Sequence, residues 1–128
     1  MKKLFLLLFL SVSLFSFSQS QVNITSKKCI SKKGFHLKLK SILNDSRCPE
    51  NVVCAWAGEV SVVVEVYNDK KFVEEKKIVF NNQNLDKNTM WFENYYPKKI
   101  KTISVLPYPK VGVDVDFKKK FIQILFED

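Results

Sequence analysis

The sequence predicts an all-β protein, built as a single antiparallel β-sandwich of about seven strands, with a small closed β-barrel as the alternative. One observation is the alternation of apolar and polar residues with a period of two, which is clearest over residues 35–40 and 60–67. That period is typical of half-buried strands. The other is composition, because β-branched and aromatic residues dominate the chain after residue 21 and no segment shows the sustained apolar stripe of an amphipathic helix.

The individual strands follow from these apolar runs and from the turn signals between them. The pattern predicts a strand from Phe35 to Leu43 and an extended segment that starts near Val53. It also predicts a hairpin, in which two strands meet at Asn68-Asp69, followed by a polar loop over residues 81–84. The hairpin strands are residues 60–67 and 72–80, and the other predicted strands are an edge strand at 22–25 and the runs 91–96, 99–106 and 121–126.

Residues 1–18 have the organisation of a signal peptide. A charged start precedes an apolar run over residues 4–14, and Ser16 and Ser18 then occupy positions −3 and −1 relative to a cleavage site before Gln19. A run of about 11 residues is too short for a membrane-spanning helix, which needs about 20. We therefore expect a mature domain of residues 19–128 that has no transmembrane anchor and lies in the periplasm or outside the cell.

The chain is basic, with 21 Lys and Arg against 13 Asp and Glu and a formal net charge of +8. Arg47 is its one arginine, and the lysines occur mostly as pairs such as Lys76-Lys77. Lysine does not make the bidentate contacts that read phosphates or bases, whereas lysines on strand edges prevent sheets from aggregating. We expect no nucleic-acid partner, and only a weak attraction to anionic surfaces as a by-product of the charge.

The most informative segment is residues 44–59, which contains Cys48 and Cys54 with five residues between them. In an exported protein such a pair is expected to form a disulfide. Closing so short a loop stabilises the fold by about 2 kcal/mol on a chain-entropy argument. We interpret the bridge as fixing the shape of one connection between strands, with Pro49 disfavouring a helix at this point.

The neighbours of the two cysteines are predicted to complete a rigid corner. Asp45 and Ser46 can support a local turn through side-chain-to-backbone hydrogen bonds. Trp56 is predicted to pack beside the bridge. Gly58 would allow a bulge or a close backbone contact before the next strand.

The pattern Asp-Ser-Arg-Cys-Pro-x-x-Val-x-Cys-x-Trp-x-Gly at residues 45–58 resembles the signature of a group of small, mostly uncharacterised exported bacterial proteins. Members of that group tend to carry a Pro-Tyr-Pro element late in the chain, and Pro107-Tyr108-Pro109 matches it. The resemblance covers most of the mature domain in the order of its features. It implies a bacterial envelope or secreted location and no particular activity. Cys29 is not part of the matched pattern, and its role stays open.

Two interpretations of Arg47 remain open at this point. An exposed, disulfide-rigid loop from Arg47 to Cys54 could act as a substrate-mimicking inhibitor of a trypsin-like protease, since a preorganised loop loses little entropy on binding. Alternatively, Arg47 pairs with a nearby carboxylate, either Asp45 or Glu50, and the corner is structural. We favour the structural interpretation.

The sequence offers no clear catalytic or metal-binding constellation, and we predict no catalytic residue, cofactor or metal. His36 is the one histidine, and six residues separate it from Cys29, so the two could meet if the segment folds back. A lone cysteine is more often a buried small hydrophobe or an intermolecular pairing site, so we do not interpret this pair as a nucleophile with its base. Asp114 and Asp116 lack the further oxygen ligands that Ca²⁺ requires. Carboxylates such as Asp45 and Glu59 could meet only in the fold, so an enzyme is the third hypothesis.

The leading hypothesis is therefore an exported, non-enzymatic module that binds a protein, a glycan or a small ligand. Its candidate recognition or structural motif is the corner Asp45, Ser46, Arg47, Pro49, Trp56 and Gly58, together with the Cys48–Cys54 disulfide. The protease-inhibitor-like protein is the alternative.

Overall fold

The structure is a computed structural model in which residues 20–27 and 33–127 are described. The predicted signal peptide, residues 1–18, and Cys29 lie outside the described residues. Within this part of the chain there are six strands, one α-helix and one short 3-10 turn. The elements are β1 (Gln21–Ile24), β2 (Phe35–Asp45), β3 (Val60–Asn68), β4 (Lys71–Phe80), α1 (Leu85–Glu93), β5 (Ile100–Leu106), the 3-10 turn (Phe117–Lys119) and β6 (Phe121–Phe126).

The strands form two three-stranded sheets in which every neighbouring pair is antiparallel, so the mainly β prediction is confirmed. The strand order is β1-β6-β5 in one sheet and β2-β3-β4 in the other. The predicted alternative of one closed barrel is wrong, because the described strands are divided between two separate sheets. The described part of the chain also has six strands where about seven were predicted.

The hairpin between β3 and β4 confirms the turn predicted at Asn68-Asp69. Asp69 and Lys70 both adopt positive φ angles, of 49° and 70°. This is the two-residue turn that matches the right-handed twist of the flanking strands. The Asp69 side chain also accepts a hydrogen bond of 2.7 Å from the Gly34 N–H, which ties the turn to the start of β2.

A single cluster of buried apolar side chains receives residues from both sheets and from α1. Val62, Val64 and Val66 contribute from the central strand β3, while Ile122 and Ile124 contribute from the central strand β6. A backbone hydrogen bond of 2.9 Å from the Leu39 N–H to the Thr25 carbonyl joins the two sheets directly. The sheets therefore share one core.

The polar loop predicted at residues 81–84 is present, but the helix α1 follows it. Two sequence predictions are therefore wrong, namely that the chain has no helix and that residues 91–96 form a strand. The aromatic residues of that run were interpreted as β-formers. In the structure, Phe92 is fully buried while the rest of the helix is partly or largely exposed. A short helix with one fully buried residue has no long apolar stripe, which is why the periodicity did not indicate it.

The extended segment predicted to start near Val53 is also wrong, since residues 51–59 form a loop and β3 begins at Val60. The disulfide holds the first part of this segment in a turn, and Gly58 has a φ of +75°. A residue in that region of φ cannot continue an extended strand. The strand therefore starts only after the glycine.

Candidate functional site

The corner between β2 and β3 is closed by the predicted disulfide between Cys48 and Cys54. Two backbone hydrogen bonds lie beside it, from the Ser46 N–H to the Glu59 carbonyl at 2.8 Å and from the Cys48 N–H to the Ala57 carbonyl at 2.9 Å. A turn follows Pro49, whose carbonyl accepts a bond of 3.2 Å from the Val52 N–H. The loop is therefore fixed at its base by backbone bonds and across its middle by the bridge.

Gly58 is required by the close approach of two backbone segments. A Cβ atom placed on Gly58 would lie 2.1 Å from the carbonyl oxygen of Ser46, far inside van der Waals contact. The same two segments are also joined by the Ser46 hydroxyl, which donates a hydrogen bond of 3.1 Å to the Glu59 carbonyl. The predicted close backbone contact at Gly58 is thus present.

The side chain of Arg47 is turned inward, and only 8% of it is exposed. Its Nε and Nη2 atoms donate bidentate hydrogen bonds of 2.8 Å to the two carboxylate oxygens of Asp45. Nη1 donates to the backbone carbonyl of Val105, near the end of β5, and Nη2 is 3.4 Å from the carbonyl of Pro107. The guanidinium carbon also lies 4.5 Å from the centre of the Tyr108 ring. Arg47 therefore binds the corner to the Pro-Tyr-Pro segment, and of the two carboxylates considered for it, Asp45 is the partner.

The electrostatics of Asp45 follow from this pairing. Partial burial alone would raise the pKa of its carboxyl group. The hydrogen bonds from Arg47, its positive charge and the charge of Lys120 outweigh that effect, so the pKa is lowered from its ordinary value. Asp45 is therefore held as a carboxylate acceptor for the guanidinium.

A second set of bonds joins the disulfide loop, residues 48–57, to the late loop, residues 107–113. The Glu50 N–H donates to the Pro109 carbonyl at 3.0 Å, and the Val111 N–H donates to the Asn51 side-chain oxygen at 3.2 Å. The Lys110 ammonium lies 3.4 Å from the Glu50 carboxylate. The two loops are separated by about half of the chain in sequence, yet they form one bonded unit, which we call the loop tip.

The loop tip exposes large apolar side chains to solvent. Val53 is fully exposed and Trp56 is 67% exposed, so most of the indole does not pack against the disulfide as the sequence had suggested. Other large apolar residues of the two loops are also exposed, namely Val52, Tyr108, Val111 and Val113. Such a collection on bonded loops is unlike the scattered single apolar residues of an ordinary surface.

The remaining sequence candidates have structural partners of their own. The Glu59 carboxylate accepts a hydrogen bond of 3.1 Å from the Asn81 side chain, so it and Asp45 are each held by a different neighbour. Asp116 accepts a bond of 3.1 Å from the Lys118 N–H at the start of the 3-10 turn. His36 lies opposite Tyr67 in the β2–β3 pair. Across residues 20–27 and 33–127, no three metal-ligating side chains come together.

Sequence reasoning missed the contact between Arg47 and Tyr108 and the bonds that join the two loops. The available signal was that the one arginine of a lysine-rich chain and a Pro-flanked tyrosine are a suitable pair for cation–π contact. It also missed the groove between α1 and β5, because the helix itself was not predicted.

No helix in the described part of the chain is long and apolar enough to cross a membrane. Comparisons of the chain with models of protein families, with curated proteins and with solved structures returned no match.

Proposed function

We propose that this protein is an exported, non-enzymatic module of the bacterial envelope or secretome that binds a partner protein through its loop tip. Export is supported by the signal-peptide pattern of residues 1–18 and by the resemblance of the corner motif to exported bacterial proteins. In the same proposal the two sheets pack face to face as a β-sandwich, which presents the loop tip at one end.

The observation that carries the binding role is the exposure of Val53 and Trp56 on loops that are bonded to each other and closed by a disulfide. Exposed apolar side chains cost solubility, so a protein keeps them where a partner covers them. A rigid pair of loops also loses little conformational entropy when it binds. Aromatic anchors such as Trp56 are the residues that dominate protein interfaces.

The protease-inhibitor hypothesis is not favoured by the position of Arg47. A trypsin-like protease would need the guanidinium to project into solvent so that it can enter the specificity pocket. Here the guanidinium is buried against Asp45, Val105 and Tyr108. The loop would lose its own structural bonds in order to present that side chain.

Site-specific photo-crosslinking tests the proposal. A photoreactive phenylalanine analogue replaces Trp56 in one variant and Phe72 in a matched control, because Phe72 is similarly exposed but lies on β4, outside the loop tip. In cells that export the protein, we expect a protease-sensitive adduct from position 56 and none from position 72. An excess of unlabelled wild-type protein should suppress the adduct, while a Trp56→Ser competitor should not. The same adducts at both positions, or none at position 56, would contradict the proposal.

A further inference from the structure

The outer edge of β5 presents backbone groups that the sheet does not use. β5 lies at the edge of its sheet and pairs with β6 alone. The Phe126 N–H donates to the Ser20 carbonyl and the Glu127 N–H donates to the Lys99 carbonyl, which fixes the alternation of bonds along β6. Ile124 and Ile122 of β6, which lie opposite Ile103 and Val105, therefore direct their backbone N–H and C=O groups towards β1. Ile103 and Val105 form non-hydrogen-bonded pairs with them and direct their own N–H and C=O groups away from β6.

Side chains occupy both ends of this edge but not its middle. Arg47 donates to the Val105 carbonyl, and the Glu93 carboxylate accepts a bond of 3.1 Å from the Ile100 N–H. Between them, the N–H and C=O of Ile103 have no hydrogen-bond partner within the described part of the chain. One outward-facing donor and one outward-facing acceptor on the same residue are therefore left to solvent.

A groove runs along this open edge between β5 and α1, with a volume of about 770 Å³. A second cavity of about 240 Å³ adjoins it towards Arg47 and Tyr108. Phe80, Leu85 and Ile103 line both cavities, so the two are continuous along the strand. Leu85 and Met90 of α1 border the groove and are 54% and 68% exposed. We call this surface, formed by α1 and the outer edge of β5, the β5 groove.

The other sheet edges carry features that discourage further strand pairing. β2 has two irregularities in its register, β1 is only four residues long, and the middle of β4 is charged from Glu74 to Lys77. Bulges, short length and charge are the usual means by which proteins protect an edge. β5 has one register irregularity, between Ile100 and Thr102 at the charged Lys101, but residues 102–105 beyond it carry no charge and no bulge. This stretch is therefore the least protected part of the edges among the described strands.

We propose that the β5 groove binds an extended polypeptide segment of a partner protein, which adds to β5 as a further strand. The backbone of Ile103 specifies this occupant. One residue of an added antiparallel strand can accept a hydrogen bond from the Ile103 N–H and donate one to the Ile103 carbonyl. The strand's alternate side chains face Phe80, Leu85 and Met90, so they are apolar, and the residue opposite Ile103 is not proline. The groove adjoins the loop tip but is not lined by its exposed residues Val53, Trp56 and Val113, so either proposal can fail without the other.

The test uses linear peptides of about ten residues, displayed on phage and selected on the wild-type protein. The best peptide is synthesised and titrated against the wild type, against Met90→Lys in the groove and against Val113→Lys in the loop tip. Both substitutions replace an exposed apolar residue by lysine, so Val113→Lys is the matched control. Amide hydrogen exchange is measured at Ile103 and at Ser104 with and without the peptide.

We expect selected peptides with alternating apolar residues, an affinity loss of about tenfold or more for Met90→Lys, and wild-type affinity for Val113→Lys. The Ile103 amide should exchange quickly in the free protein and become protected when the peptide binds. The Ser104 amide, which already bonds to β6, should be protected in both states. No selected peptide, or a peptide that leaves the Ile103 amide unprotected, overturns the proposal. So does a dimer of the free protein that Met90→Lys dissociates, because the occupant would then be a second copy of the chain.

Discussion

At the scale of single residues, Arg47 holds the corner in place because it connects β2, β5 and the Pro-Tyr-Pro segment at once. Removing a buried guanidinium is destabilising mainly because its partners are left buried without a donor. Its function here is positional. The exposed residues beside it on the loop tip can only be presented in a fixed arrangement if this contact holds.

We therefore predict that Arg47→Ala lowers the free energy of unfolding by about 3 kcal/mol, because it leaves the partly buried Asp45 carboxylate and the Val105 carbonyl without their donor. Arg47→Lys is the matched control that keeps the charge but cannot make the bidentate pair. It should lose about half as much. Urea denaturation measures both values, and a wild-type midpoint for Arg47→Ala would show that the contact does not contribute to stability.

The pairing of Asp45 also predicts a dependence on pH. Its folded-state pKa is lowered from an ordinary value of 3.8, so the stability that the carboxylate contributes is fully present above that value. It is lost as the pH falls below that value and through the folded-state pKa, because the carboxyl group is then protonated in the folded protein as well. We expect the stability difference between the wild type and Asp45→Asn to be constant near neutral pH and to shrink below about pH 4. A difference that grows on acidification would contradict the assignment.

Gly58 gives a prediction with an internal control. Gly58 and Gly112 have nearly the same positive φ, of 75° and 77°, but a Cβ atom on Gly112 would meet nothing within 4 Å. Gly112→Ala should therefore cost only the strain of that backbone conformation, about 1 kcal/mol. Gly58→Ala adds the clash with the Ser46 carbonyl and should lose several kcal/mol or fail to fold. Equal midpoints in urea for the two variants would show that the corner can relax around a methyl group.

At the scale of elements, the helix α1 depends on contacts with the sheet more than on the helix propensity of its residues. The Asn88 amide donates a hydrogen bond of 2.8 Å to the carbonyl of Val79, which faces out from the sheet. The first turn of α1 has no side-chain cap. A helix of this length is marginal in isolation, so its stability comes from such tertiary contacts and from the burial of Phe92.

We predict that Asn88→Ala lowers the free energy of unfolding by about 1 kcal/mol, although alanine favours the helix, because the Val79 carbonyl loses the shorter of its two side-chain hydrogen bonds and keeps only the 3.4 Å bond from the Asn84 amide. Lys87→Ala at the neighbouring exposed position should be neutral or slightly stabilising, since the Lys87 side chain makes no hydrogen bond or ion pair within the described residues. Thermal unfolding followed by circular dichroism compares the two variants. A loss confined to Lys87→Ala would contradict the role given to Asn88.

The elements also show where sequence reasoning succeeds. The strands β2 and β3 were predicted because each alternates over enough residues for its period to be counted. β4 was predicted from the turn before it, at residues 69–70, and β5 and β6 were predicted from β-branched and aromatic runs. α1 was missed because its aromatic residues have β-propensity and tertiary contacts override that propensity. The corner was predicted as rigid from Cys48, Cys54 and Gly58, but its docking to the late loop joins residues far apart in the chain, which local patterns do not reveal.

At the scale of the whole molecule, the two sheets meet in one apolar cluster and are joined by the bond from Leu39 to the Thr25 carbonyl. Neither sheet has a core of its own, because three strands bury their apolar face only against a second layer. The loop tip depends on both sheets as well, since its disulfide loop follows β2 while its late loop follows β5. An opening of one sheet would therefore also release the loops.

This arrangement predicts that the domain unfolds as one cooperative unit. Val64 lies on the central strand of one sheet and Ile124 on the central strand of the other, and both side chains are fully buried. Their amides should exchange with solvent only when the whole domain opens, so their opening free energies should agree to within about 0.5 kcal/mol and equal the free energy of unfolding measured with urea. Native-state hydrogen exchange measures the two values separately. If the Ile124 amide, which bonds to β1, opened at a free energy lower by more than about 1 kcal/mol, at least β1 would open without the rest of the domain, and the prediction of one cooperative unit would be wrong.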